Sequence, residues 1–262
     1  MEGRAVRGFV DHLVAQLLAV QINLYACRAR LEARTDAEAL HDLRIAVRKL
    51  RSLLRPLRGL VDFIALEQTA RTLGQLSGPL RDAEVLLVQL QACAAQRPQQ
   101  ARQQQLDVGY GQLLASPELQ ALFAALDASV AVCRHAQACG ALRGAVKHTA
   151  KGLAKNRKRL QRALNEPGTD RHRLRLLIKR LRYSAQAYPR CKLLSKPQMR
   201  ALSAAQSALG DWHDHLQWLA GAQQQSDLQP LVSAWQAALV QAEQQSEQKL
   251  RTLQRLLHGS RS

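Results

Sequence analysis

Two short segments carry the same set of cationic and imidazole side chains at the same spacing. His41-Asp-Leu-Arg44-Ile-Ala-Val-Arg48-Lys49-Leu-Arg51 recurs as His172-Arg-Leu-Arg175-Leu-Leu-Ile-Lys179-Arg180-Leu-Arg182. Both read H-x-x-R-x-x-x-[RK]-[RK]-x-R. On a helix, His41, Arg44, Arg48, Arg51 and Arg55 fall within an arc of about 80°. Leu43, Ala46, Val47, Leu50, Leu53, Leu54 and Leu57 take the opposite side. In the second segment His172, Arg175, Lys179 and Arg182 share one arc, with Leu174, Leu177, Ile178, Leu181 and Ala185 opposite, and Lys49 and Arg180 flank the two stripes alike. A third helical run places Lys147, Lys151, Lys155, Lys158 and Arg162 on one ridge, with Arg143 close by. A solvated helix face ordinarily mixes signs, because like charges one turn apart repel by a few tenths of a kcal/mol. These faces contain almost no acids. Arginine grips phosphate oxygens as a bidentate fork and lysine as a point charge, so a row of them suits a polymer charged at every unit.

The elements that must hold these side chains are helices. Leu, Ala, Gln and Arg dominate, while aromatics make up 4% and no strand pattern stands out. These are helix formers that lose little rotamer freedom, which predicts an all-α protein. The 262 residues suffice for a sizeable core. Net charge is +18, and it is concentrated: residues 141–200 hold eighteen Lys and Arg against Glu166 and Asp170. Residues 201–250 carry the opposite pattern, one base (Lys249) against Asp211, Asp214, Asp227, Glu243 and Glu247.

The two motifs lie 131 residues apart, Arg81-Asp82 and His213-Asp214 lie 132 apart, and so do Pro98 and Pro230. Landmarks in one order at nearly one offset predict two copies of a helical unit, 1–133 and 134–262. Helices are expected over 5–33, 37–57, 62–76, 79–95, a Gln-rich stretch after Pro98, and 117–139. In the second copy they are expected over 141–165, 170–187, 197–209, 211–225 and 230–258. Thr35-Asp36 reads as an N-cap, Gly59 as a stop and Pro79 as the first turn of a helix. Short connections predict antiparallel bundles.

The doubled motif resembles the CHAD family, the histidine-bearing α-helical domain. The Leu80-Arg81-Asp82 and Leu209-Gly210-Asp211-Trp212-His213-Asp214 stretches look like that family too. The resemblance implies two helical bundles related by pseudo-twofold symmetry around a basic central groove or channel that binds inorganic polyphosphate. It implies a lining from His41, Arg44, Arg48, Arg51, His172, Arg175, Lys179 and Arg182, and recruitment to polyphosphate granules. The Lys147–Arg162 ridge departs from the symmetry, since Gln16, Val20 and Leu24 stand where the first copy would carry it.

Other chemistry is poorly served. No Gly-rich phosphate loop, nucleophile elbow or magnesium-holding acidic cluster is present, so no enzyme is expected. No cofactor is expected either. His41 and His172 lack a second histidine at ligand spacing, and His135 with Cys139 is one isolated pair, so no metal is expected. Asp82 and Asp214 are read as orienting an arginine of the stripe, against the plainer reading of a charge near a helix N-terminus. Nucleic acid is the competing polyanion, but Trp212, Trp218 and Trp235 all lie in the acid-rich segment, away from the stripes, where bases could not stack on them. Weak nonspecific binding follows from charge alone. The five cysteines, Cys27, Cys93, Cys133, Cys139 and Cys191, read as cytosolic thiols. The uncharged run from Leu13 to Cys27 is short and interrupted by polar residues, so a cytoplasmic protein without a membrane span is expected.

Overall fold

The computed structural model describes residues 2–92 and 96–258, and among them every regular element is helical. The chain forms two compact units, Met1–Ala150 and Lys151–Ser262, and the division falls inside one helix.

In the first unit α1 (Glu2–Ala33) buries Val10, Leu13, Leu17, Val20, Leu24, Cys27 and Leu31 at three- and four-residue intervals. That stripe packs on α2 (Ala39–Leu54) and on α5 (Pro117–Ala138). α1 is long and apolar enough to cross a membrane by length and composition. Its apolar face is nonetheless packed inside the unit. α2 continues as a 3-10 turn, Arg55–Leu57, and ends where Gly59 takes φ +81, a left-handed conformation glycine adopts without a Cβ clash. The expected Thr35-Asp36 cap is replaced by a different arrangement. Glu38 is the N-cap and offers no side-chain bond, while Asp36 Oδ1 accepts from the Glu38 amide at 2.8 Å. The other Asp36 oxygen and Asp42 both take Arg30, tying the end of α1 to the start of α2.

α3 (Ile64–Ala92) is one helix, where breaks before Pro79 were expected. Proline crowds the residue before it chiefly through that residue's Cβ, and Gly78 has none. The turn ahead of the proline is also reinforced from outside. Ser77 Oγ donates to the Leu73 carbonyl at 2.8 Å, and Arg44 donates to the Gly74 carbonyl at 3.1 Å and to Ser77 Oγ at 3.0 Å. α4 (Gln96–Ala115) and α5 complete this bundle by packing on α3. Ser116 caps α5 by accepting from the Leu119 amide.

α6 (Ala145–Asn165) leads into the second unit. There α7 (Arg171–Ala187) packs on α8 (Lys196–Ala222), and α8 on α9 (Val232–His258). α8 runs without interruption through Gly210, where two helices were expected, and starts from a capping box of Ser195 and Gln198. α7 starts from Asp170, which accepts from the amides of His172 and Arg173. The core is Leu160, Leu174, Ile178, Leu181, Leu202, Leu209, Trp212, Leu253 and Leu257. Gln161 and Arg157 of α6 donate to the Leu257 carbonyl at the end of α9, and Gln254 donates back to the Leu164 carbonyl. Cys93 lies outside the described residues. Cys27 and Cys133 are buried thiols, Cys139 is exposed and Cys191 half-buried.

Candidate polyanion-binding faces

The apolar side of α2 is fully committed to the core, with Leu43, Val47, Leu50, Leu53 and Leu54 at most 1% exposed. This fixes the rotation of the helix and turns the basic stripe toward α3. His41, Arg44, Arg48, Lys49, Arg51 and Arg55 are all half-buried rather than splayed into solvent. Arg44 bonds across to α3 as described, and Arg48 Nε donates to the Arg44 carbonyl at 3.2 Å. Two glycines of α3 lie beside these guanidinium groups. A Cβ on Gly78 would stand 3.7 Å from an Arg44 nitrogen, and one on Gly74 would stand 3.7 Å from an Arg51 nitrogen. The guanidinium groups therefore lie along a glycine-lined strip of α3.

Such burial is electrostatically unfavourable for a cation. Desolvation, then the charges of Arg48 and Arg81, push the Arg44 pKa down, while Asp82 and Glu84 oppose the shift. Arg51 is pushed down by burial, partly offset by Glu67, and further by Arg71 and Arg58. Its Nε is buried without a hydrogen-bond partner among the described residues. His41 is pushed down by burial and by Arg81 and Arg48. An anion arriving here would relieve all three.

In the second unit α7 presents Arg175, Lys179, Arg180 and Arg182 half-buried, with His172 exposed at the head of the row. His213 of α8 comes up against them, its ring centroid 5.6 Å from that of His172. Burial, then Arg175, His172 and Lys179, push His213 down to about 4. Trp212 beside it is buried, with Arg171 5.9 Å above its ring.

The third basic face differs. Lys147, Lys151, Lys155, Lys158 and Arg162 are exposed along α6, and none makes a side-chain hydrogen bond or ion pair among the described residues. Asp82 lies where its charge supports Arg44. Asp214 is half-buried on α8 next to His213.

Three contributors escaped the single-helix reading: Arg71, Arg81 and His213. Each enters from the neighbouring helix, and a helical wheel displays one helix at a time. Arg81 and His213 had marked the offset between the two halves, and that correspondence was the available signal. Arg81 is held by Glu84 at 2.8 Å, and the other Glu84 oxygen accepts from Tyr110 OH at 2.6 Å. His135 and Cys139 touch, with Nε2 3.4 Å from Sγ, and no three His, Cys, Asp or Glu residues gather among the described residues.

The family model of the CHAD domain matches residues 16–223, which include all three basic faces. The chain belongs to the CHAD-domain family. A crystal structure of the CHAD domain from the plant Ricinus communis has the same fold, with a TM-score of 0.64 at 23% identity over 96% of this chain and 92% of the plant one. No curated protein matches this sequence. Within this CHAD domain, then, two helices carry half-buried basic rows backed by a neighbouring helix, and a third carries an open ridge.

Proposed function

We propose that this CHAD domain is a non-catalytic, cytoplasmic binder of inorganic polyphosphate, which it engages through the basic faces of α2, α7 and α6. The observation that carries the reading is the half-buried cationic rows. On α2 burial disfavours the charges of Arg44 and Arg51, and on α7 the charges of Arg175 and Lys179 press His213 toward its neutral form, so both rows are poised to take an anion. A single phosphate needs two or three such groups. Rows of four or more on each helix suit a chain. The finer family pattern of two repeats, 1–133 and 134–262, with pseudo-twofold symmetry and a basic groove or channel, is part of this proposal. It is supported by Arg81 meeting His41 and Arg44 in one unit as His213 meets His172 and Arg175 in the other. Recruitment to polyphosphate granules is the cellular role that family membership suggests.

A bare phosphate chain is favoured over nucleic acid because the aromatics near the rows are buried or hydrogen-bonded rather than open to bases. Trp212, Trp218 and Trp235 are at most 8% exposed, and Tyr183 OH accepts from Gln206. Sequence-tolerant single-strand binders need open rings for base stacking.

The test is competition at near-physiological salt: labelled long-chain polyphosphate challenged with single-stranded DNA, duplex DNA, heparin and orthophosphate. Polyphosphate is expected to win by tenfold or more at equal charge, about 1.4 kcal/mol. DNA competing equally would replace the proposal with a general polyanion surface. Arg48→Gln with Lys179→Gln is expected to weaken binding at least tenfold with the helical content kept. Arg44 is unsuitable for this purpose because it also joins α2 to α3. Incubation with polyphosphate, nucleoside triphosphates and magnesium is expected to release no phosphate, and steady turnover would refute the non-catalytic part.

A further inference from the structure

The basic residues of this protein fall into two physical classes, and the classes predict different kinetic work. On α2 and α7 the cations are half-buried, mostly arginine, and backed by a second helix. Little side-chain freedom remains to be lost when a ligand arrives, so contacts made there should persist. Along the α6 ridge (Lys147, Lys151, Lys155, Lys158 and Arg162) the cations are mostly lysine, exposed on long stems, and paired with nothing among the described residues. Such groups form weak, mobile contacts but project their field far into solvent, which accelerates encounter.

The layout of α6 fits that role. Its opposite side is pinned by Leu153, Leu160 and Ala163 in the core, and by Gln161 and Arg157 on the end of α9. The ridge from Lys147 to Arg162 is therefore presented on a fixed rod of about 22 Å. Nearby acids do not quench it, since Glu166 is engaged with Arg173. Five like charges along one side raise the energy of the unliganded helix. A solvated surface would be better served by mixed signs.

We infer that the α6 ridge is a capture surface for polyanions, setting how fast a chain is taken up, while the α2 and α7 rows set how long it stays. This rests on the polyanion-binding reading above, and it assigns the ridge a kinetic role distinct from holding the ligand.

The experiment is stopped-flow association and dissociation with fluorescently labelled polyphosphate and, in parallel, labelled single-stranded DNA. Three proteins are compared: the unaltered chain, a ridge variant and a control. The ridge variant is Lys147→Gln, Lys151→Gln, Lys155→Gln, Lys158→Gln and Arg162→Gln. The control removes five exposed charges elsewhere, at Lys192, Lys196, Arg200, Lys249 and Arg255. The ridge variant is expected to associate about tenfold more slowly at low ionic strength, and to dissociate within twofold of the unaltered chain. Its deficit should shrink as salt rises toward about 1 M, where screening acts over about 3 Å. The control should lose about twofold or less in association.

Faster dissociation with unchanged association would overturn the inference, making the ridge part of the holding site. Equal slowing in the control would reduce the effect to net charge, and no change in either rate would leave a solvated face; both sink it. If DNA binds and polyphosphate does not, the ligand assignment fails while the ridge is judged on the DNA rates. If neither polymer binds, both ideas fall.

Discussion

His213 shows how position alone changes what a side chain does. Its pKa is pushed from the ordinary 6.5 to about 4 by burial and then by Arg175, His172 and Lys179. The folded protein thus refuses a proton that the unfolded chain accepts. The stability this contributes is complete above pH 6.5 and is lost as pH falls toward 4. His41, pushed down by burial and by Arg81 and Arg48, acts in the same direction. A polyanion on α7 would raise the His213 pKa, so binding should tighten and take up protons as pH falls through the same window. Calorimetry in buffers of different ionisation enthalpy measures that uptake, and His213→Gln is expected to diminish it. An unchanged uptake in the variant would mean that other groups carry the protons. The sequence made His41 and His172 legible because each heads a row on its own helix. It left His213, Arg81 and Arg71 unassigned, because their importance comes from a neighbouring helix that no periodicity names.

Helices α3 and α8 are longer than their residues suggest taken one at a time. Proline and glycine are local stop signals, and both are overridden here. In α3 the support is Gly78 before Pro79 and the bonds from Ser77 and Arg44. In α8 a Cβ on Gly210 would meet nothing within 4 Å. Gly210→Ala is therefore expected to stabilise by about 0.5–1 kcal/mol in urea unfolding, as alanine does inside a helix. Gly109 of α4 is the contrasting case. An added Cβ would stand 2.2 Å from Leu80 Cδ2, so that side chain must turn away. Gly109→Ala is expected to be less favourable than Gly210→Ala by about 1 kcal/mol, the cost of turning Leu80 aside, and Leu80→Ala in the same chain should narrow that difference. Equal effects at the two glycines, or a loss at Gly210, would contradict this packing. Other boundaries were readable: Gly59 ends the α2 segment with its positive φ, and Pro117 opens α5 behind Ser116.

Across the whole molecule the dominant quantity is charge. A net +18 raises the energy of the compact chain by self-repulsion, and a polyvalent anion reverses that term. Polyphosphate at about 100 times its Kd is expected to add about 2.7 kcal/mol to stability, seen as a higher melting temperature. Orthophosphate at equal phosphate should give a much smaller shift, and added salt should erode the polyphosphate effect. Equal shifts from both would point to simple screening. The all-helical class and the family were legible from composition and the doubled motif, because both depend on residue types in order along the chain. The extent of each compact unit depends on which helices pack together, and that is settled by side-chain complementarity spread over the full sequence.

The indole of Trp212 stands between Arg171, 5.9 Å from its ring, and His213, whose ring lies 6.4 Å away, while Trp218 and Trp235 face each other elsewhere on α8 and α9. A charged imidazole quenches excited indole more strongly than a neutral one. Trp212 is thus placed to report changes in charge at the head of α7 in its own share of the emission, without any dye attached, alongside Trp218, whose ring lies 4.8 Å from that of His215.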